Sequence, residues 1–116
     1  YNPADGINTL GTWETGEAYL IFAISETQLS VSGTPVDPAT DLPLDAGWNL
    51  VAYLPGETIP VEEALASIEN DLIIVKDESG QVYAPLYEIN TIGTLEPGQG
   101  YKIYSSATTT LTYPSP

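Results

Sequence analysis

Short apolar runs separated by glycine, proline, asparagine and aspartate form the dominant pattern of this chain. The run at residues 48–54 is rich in β-forming side chains and stops at Pro55, so it predicts a strand. A second run, Leu72–Lys76, is followed by turn-forming residues at 77–80 and by a return at 81–83. These last three segments predict a β-hairpin.

One segment has the spacing of an amphipathic helix. Pro60 opens it, and Glu62 and Glu63 follow in the first turn, where carboxylates favour the positive end of the helix dipole. The spacing i, i+3, i+4 and i+7 is met by four apolar residues: Val61, Ala64, Leu65 and Ile68. The sequence therefore predicts one short helix near residues 60–69.

An internal repeat relates the two ends of the chain. When residues 1–31 are laid over residues 83–113 without a gap, an offset of 82, 13 of the 31 pairs are identical. The identical pairs include Gly11 with Gly93 and Gly16 with Gly98. Because these glycines set the turns, we expect the two segments to share one local fold.

The repeat predicts how the chain is organised. It indicates a single domain made of a half repeat (1–34), a linker rich in proline and aspartate (34–45) and a full repeat unit (42–116). A half repeat exposes an apolar face that it cannot bury alone. Residues 18–31 are therefore expected to pack on the full unit or on another chain, and the second alternative is self-association through the half repeat.

The strand count predicts the fold class. In the full unit, residues 101–104 are expected to pair with 110–113, and in the half repeat 18–24 with 28–31. Together with the hairpin and the first strand, this gives about seven strands and one helix. The expectation is a mainly β, sandwich-like fold.

Two blocks of sequence resemble a known type of module. They are GWNLVAYLPGETIPVEEALASIENDLIIVKDESGQVY at 47–83 and INTIGTLEPGQGYKIY at 89–104, and they are similar to a tandem repeat found near the C-termini of large secreted proteins of polysaccharide-degrading bacteria. Such modules follow glycoside hydrolase, adhesin and protease domains. The resemblance covers nearly the whole chain and implies a secreted, extracellular location, but it carries over no catalytic residues. Members often have Trp-Pro where this chain has Ala84-Pro85.

Composition and charge narrow the function classes. The 116 residues include 16 acidic and two basic side chains, for a net charge of -14, which disfavours nucleic acid and anionic membrane surfaces as partners. The longest apolar run, at 18–24, is too short to span a bilayer, so membrane insertion is not expected. The chain has no histidine and no cysteine, which removes the commonest general base and every thiol nucleophile.

Carboxylates are the remaining candidates for catalysis and for metal binding. A glycosidase built on an acidic pair is the one enzyme class left open, and Glu14 with Glu96 is the only acidic pair kept in both copies. Both lie between glycines, which is typical of turn residues, so no enzyme activity is expected. Calcium is the one cofactor the composition leaves open, because Asp37, Asp41 and Asp45 recur at four-residue intervals; a solvated acidic linker is favoured over a metal site.

Aromatic side chains are the strongest candidates for ligand contact. Two Trp and eight Tyr stand against one Phe, and amphipathic rings stack on the apolar faces of sugars. The predicted carbohydrate-binding residues are Trp13, Trp48, Tyr53, Tyr87 and Tyr104. Trp13 leads because it aligns with Leu95 within a glycine-rich loop, which predicts an exposed platform. The alternative is a β-core whose phenol groups reach the surface.

Two functional hypotheses follow. The first is a non-catalytic carbohydrate-binding module that binds a β-glucan type polysaccharide and is appended to a secreted glycoside hydrolase. The second is a structural spacer or adhesion repeat of a secreted cell-surface protein, with no small ligand.

Overall fold

The computed structural model describes residues 1–115, in which nine short strands form three antiparallel sheets. The strands are β1 (Leu42–Leu44), β2 (Gly47–Ala52), β3 (Ile59–Pro60), β4 (Leu72–Lys76), β5 (Val82–Ala84), β6 (Ile89–Asn90), β7 (Thr94–Leu95), β8 (Gly100–Ser105) and β9 (Thr109–Leu111). The largest sheet has the order β2-β8-β4-β5-β6, and the pairs β1-β9 and β3-β7 form the two smaller sheets. The predicted mainly β, sandwich-like class is confirmed, with more strands than predicted.

The helix has the predicted apolar face. Helix α1 (Val61–Ala64) passes into a 3₁₀ turn at Ala66–Ile68, because Leu65 between them leaves helical backbone angles, with φ −107° and ψ 14°. All four residues of the predicted apolar spacing are buried. The 3.6-residue pattern thus located the buried face, although the regular helix is shorter than the segment it covers.

The core lies on one face of the largest sheet. Side chains alternate along a strand, and β8 buries Tyr101, Ile103 and Ser105 while exposing Lys102 and Tyr104. The inward side chains of β8 pack with those of β2, β4, the helix and the smaller sheets into one buried cluster. Each fully buried large aliphatic chain contributes about 1.5–3 kcal/mol relative to exposure. The outer face of this sheet is left to solvent.

The pairing predicted for the last two strands is wrong. Strand β8 lies between β2 and β4, so both of its edges are already hydrogen-bonded. Strand β9 pairs instead with β1, with Leu42 opposite Leu111, and this places a strand inside the predicted linker. The predicted hairpin of β4 and β5 is confirmed, with Val75 opposite Tyr83.

The strands predicted in the half repeat, at 18–24 and 28–31, are also wrong. The structure assigns no strand to either segment, and their side chains are largely exposed. Only a single bridge, Glu17 with Val51, joins this region to the outer edge of β2. Backbone groups form a strand only alongside a partner, and after Ala18 the chain leaves that edge.

Local geometry nevertheless agrees at equivalent positions of the two copies. Gly11 and Gly93 both have φ +75°, and each amide donates to the asparagine side chain three residues earlier. The N–H of Glu14 donates to the Tyr19 hydroxyl at 2.8 Å, and the N–H of Glu96 to the Tyr101 hydroxyl at 2.9 Å. The glycine-rich loop therefore has the same hydrogen bonds in both copies, although a strand follows the loop only in the second copy.

Candidate functional site

The outer face of the five-stranded sheet carries a cluster of aromatic, aliphatic and basic side chains. Cross-strand register places Tyr104 of β8 between Trp48 of β2 and Ile74 of β4. The next row places Lys102 between Leu50 and Lys76. We call the set of Trp48, Leu50, Ile74, Lys76, Lys102 and Tyr104 the outer platform. Because these residues lie on rigid paired strands, their spacing is set by the sheet.

Trp48 and Tyr104 form the aromatic part of the outer platform. Their ring centroids lie 5.1 Å apart at an interplanar angle of 81°, an edge-to-face arrangement. Such contacts contribute about 0.5–1.5 kcal/mol beyond the burial of area. Trp48 is nevertheless 53% exposed and Tyr104 37% exposed. The pair therefore fixes the indole in place and still presents ring surface to solvent.

The chain's two basic side chains both lie in the outer platform. Lys76 and Lys102 are opposed across β4 and β8, and the Lys76 ammonium nitrogen lies 5.5 Å from the Trp48 ring centroid. This cation–π contact orders the lysine against the indole. A protein with 16 acidic side chains thus places both of its basic side chains beside its exposed Trp–Tyr pair.

The side chain of Asn49 stabilises the turn that precedes Trp48 through hydrogen bonds to the backbone. The Asn49 side chain accepts from the Asp45 N–H at 3.0 Å and donates to the Asp45 carbonyl at 2.9 Å. Its amide also donates to the Gly47 carbonyl. These bonds fix the turn before Trp48, and a shallow cleft of about 350 Å³ lies between Trp48, Leu50 and the two lysines.

Tyr53 is corrected from a candidate ligand contact to a core residue. Its side chain is only 5% exposed, packs edge-to-face with Tyr113 at 5.1 Å, and donates its hydroxyl to the Glu57 carbonyl at 2.8 Å. Burial, with Tyr101 and Glu57 nearby, raises its pKa to about 12. A ring enclosed in this way cannot stack on a ligand at the surface.

Tyr87 is exposed but lies apart from the outer platform. It belongs to the 3₁₀ turn Pro85–Tyr87 that precedes β6, the edge strand opposite β2. Of the five predicted residues, the structure therefore brings together only Trp48 and Tyr104.

Trp13 lies on a different surface from the outer platform. It lines a cleft of about 430 Å³ with Tyr1, Asn8 and Leu10, and its ring meets Tyr19 edge-to-face at 4.4 Å. Trp13 is 56% exposed, whereas its counterpart Leu95 lies in β7 and is 0% exposed. The aligned position is thus exposed in residues 1–31, as predicted for Trp13, and buried in residues 83–113.

The acidic residues show structural contacts. Asp37 accepts the Ala39 N–H within the linker, and Asp41 accepts the hydroxyl of Thr112, the residue that follows β9. Within residues 1–115, no group of three or more acidic side chains is placed to hold a metal ion. In that same range no helix is both long and apolar enough to cross a membrane.

Comparison with protein-family models, with curated proteins and with solved structures finds no match for this chain. The candidate site therefore rests on geometry. Sequence reasoning missed Leu50, Lys76 and Lys102 as neighbours of the aromatic pair. The signal that could have found Lys102 is the alternation in GYKIYS at 100–105, which places it on the same face as Tyr104.

Proposed function

We propose that the protein is a non-catalytic carbohydrate-binding module and that the outer platform binds a β-glucan type polysaccharide. The observation that carries this proposal is the half-exposed Trp48–Tyr104 pair, flanked by both lysines on the open face of a sheet. We further propose that the module is secreted and appended to a glycoside hydrolase. Its acidic composition and its resemblance to modules of such enzymes support this part.

The chemistry of the outer platform suits a sugar chain. The apolar C–H face of a pyranose stacks on an indole or phenol ring, while its hydroxyls accept hydrogen bonds from lysine ammonium groups. At roughly 25 cal/mol per Å², a ring contact of about 100 Å² supplies about 2.5 kcal/mol before ordering costs. Two contacts of this size, together with several polar hydrogen bonds, give affinities in about the micromolar to millimolar range. Repeated weak contacts suit a polymeric ligand.

A neutral glycan fits the charge of the molecule better than an acidic one. The net charge of -14 repels anionic polymers, and the two lysines offset only a small part of the 16 acidic charges. Lysine ammonium groups can donate to hydroxyl oxygens without requiring an anionic partner.

Affinity electrophoresis against soluble glucans, xylans and mannans tests the proposal. Wild type should be retarded by a β-glucan, and Trp48→Ala and Tyr104→Ala should each lose at least about tenfold in affinity, since about 1.4 kcal/mol is a factor of ten. Tyr87→Ala is the matched control, because it removes an exposed aromatic ring away from the outer platform. Wild-type mobility that no polysaccharide changes would reject the proposal.

The second candidate, a structural spacer or adhesion repeat, is favoured by one specific observation. Residues 18–31 expose a series of large apolar side chains, and a protein surface of this kind marks a site of contact with another polypeptide. This surface lies in the half repeat, whereas the outer platform lies in the full unit. The two functions can therefore be tested by independent variants.

A further inference from the structure

The half repeat carries an apolar surface that its own fold leaves uncovered. Its large exposed side chains are Leu20, Ile21, Phe22, Ile24, Leu29 and Val31, of which Phe22 and Ile24 are more than nine-tenths exposed. Glu26 is the only charged residue between positions 18 and 31. Exposure of this many apolar groups to water is costly unless a partner covers them.

In the second copy of the repeat, residues 83–113, the equivalent positions are buried by neighbouring residues. Ile21 is 64% exposed, whereas its counterpart Ile103 is 0% exposed. Leu29 is 65% exposed, whereas its counterpart Leu111 is 0% exposed. The difference between the copies therefore lies in what surrounds these residues, since the residues themselves are identical.

Residues 42–83 bury these positions of the second copy. Ile103 lies between Asn49 of β2 and Val75 of β4, and Leu111 lies opposite Leu42 of β1. Polar bonds come from the same stretch: the Val61 N–H donates to the Gly93 carbonyl, and the Ser67 hydroxyl accepts the Thr112 N–H. One continuous segment thus supplies the strands, the helix and the bonds that close the unit.

We infer that residues 18–31 form a docking surface for a further polypeptide segment of the same type as residues 42–83. Docking would place two strands beside 19–23, as β2 and β4 lie beside β8, and a third beside 27–29, as β1 lies beside β9. It would cover Ile21, Leu29 and Trp13 as Ile103, Leu111 and Leu95 are covered. This inference is independent of carbohydrate binding.

The chain's own residues 42–83 cannot fill this role. One edge of β2 is paired with β8, and its other edge already holds the half repeat through bonds from Ala52 N–H to Gly16 carbonyl and from Ala18 N–H to Leu50 carbonyl. A second copy of the chain presents the same closed unit. If residues 42–83 of one copy moved onto residues 18–31 of another, they would leave β8 and β9 of their own chain exposed. The occupant is therefore a segment of the 42–83 type in which the equivalents of β2 and β4 are not already paired with a strand like β8.

A tandem extension of the full chain tests this inference. Residues 42–82 are joined directly ahead of Tyr1, so that Tyr1 follows Val82 as Tyr83 does in the present chain. Amide hydrogen exchange is then compared at 18–31 in the original and extended proteins. We expect these amides to exchange at least about tenfold more slowly in the extended protein, approaching the amides of β8 and β9.

Paired variants separate docking from a general effect on folding. Ile21→Asp should leave the stability of the original chain nearly unchanged, because this side chain is exposed there, and should destabilise the extended chain. Protection of β8 serves as the internal control that the full unit is folded. Equally fast exchange at 18–31 in both proteins would overturn the inference. So would an original chain that sediments as a dimer with 18–31 protected, since the occupant would then be a second copy.

Discussion

Among residues 42–115, a single non-glycine residue has left-handed backbone angles. Glu88 ends the Pro85–Tyr87 turn with φ 56° and ψ 36°, a region that L side chains adopt at a cost. The equivalent position of the half repeat is Gly6, with φ 68°. The two copies thus use one backbone conformation with two different residues.

We expect Glu88→Gly to raise the free energy of unfolding by about 0.5–1 kcal/mol, because glycine adopts this conformation without steric cost. Urea unfolding measures the change. Glu88→Gln is the control, since it removes the same negative charge and keeps the side chain. Equal stabilisation by both variants would assign the effect to charge and contradict the backbone explanation.

Three core tyrosines predict how stability changes at alkaline pH. Burial raises the pKa of Tyr53 to about 12, and it raises the pKa of Tyr113 and of Tyr101 as well. The unfolded chain ionises its tyrosines near pH 10, while the folded chain keeps these protons to higher pH. The stability that these three tyrosines contribute is therefore expected to be fully present below about pH 10 and to be lost as the pH rises through their folded-state pKa values.

Tyr113→Phe tests the origin of this dependence. The variant loses the hydroxyl bond to the Ala52 carbonyl, which costs about 1 kcal/mol at neutral pH, and it also loses one of the titrating groups. Between pH 9 and about 12 its stability should therefore fall less steeply than that of wild type. Denaturant unfolding across this range measures both slopes. An unchanged slope would show that Tyr113 ionises alike in both states.

At the scale of elements, Gly100 leaves room for the half repeat beside β2. A Cβ placed on Gly100 would lie 2.5 Å from the Cβ of Ala18, closer than two carbon atoms pack. Gly100→Val should therefore push residues 16–18 off the β2 edge and destabilise the fold by about 1–3 kcal/mol. Faster hydrogen exchange of the Ala52 amide, which donates to the Gly16 carbonyl, would report the same event.

Gly56→Ala is the matched control for that substitution. A Cβ at Gly56 meets open space, so this variant should keep the wild-type exchange rate at Ala52. If Gly100→Val left both the Ala52 amide and the unfolding free energy unchanged, the contact between the half repeat and β2 would not exist in solution.

Elements whose pattern is local could be predicted from the sequence, and those that depend on distant partners could not. The alternation in β8 and the 3.6-residue spacing of the helix depend on neighbouring residues only. The pairing of β9 with β1 joins opposite ends of the unit, and no local signal marks it. Residues 18–24 have the composition of a strand, but a strand needs a partner edge beside it.

Part of the candidate site could likewise be predicted from local sequence, and part of it depends on distant partners. Trp48 and Tyr104 were predicted from residue type, whereas their contact and the proximity of Lys76 follow from cross-strand register. The prominence given to Trp13 rested on its alignment with Leu95. Leu95 is buried, whereas Trp13 is exposed as predicted. Contact of Trp13 with a ligand stays a prediction.

At the scale of the whole molecule, charge predicts a dependence on salt. With a net charge of -14, repulsion among the carboxylates opposes the compact state, and salt screens this repulsion. The melting temperature should rise by a few degrees between about 10 mM and 300 mM NaCl, where 1 kcal/mol corresponds to roughly 4 °C for a domain of this size. A melting temperature that falls over this range would show that the acidic groups are already compensated.

The central claim, that the outer platform binds a polysaccharide, is tested most directly by the fluorescence of Trp48. Trp13→Phe leaves Trp48 as the chain's only indole, so its emission reports on the outer platform alone. Titration with a soluble β-glucan should shift or quench this emission along a saturable curve in the micromolar to millimolar range, and Tyr104→Ala in the same background should weaken the response. Emission that stays constant up to about 10 mM sugar, from a variant that melts like wild type, would contradict the account.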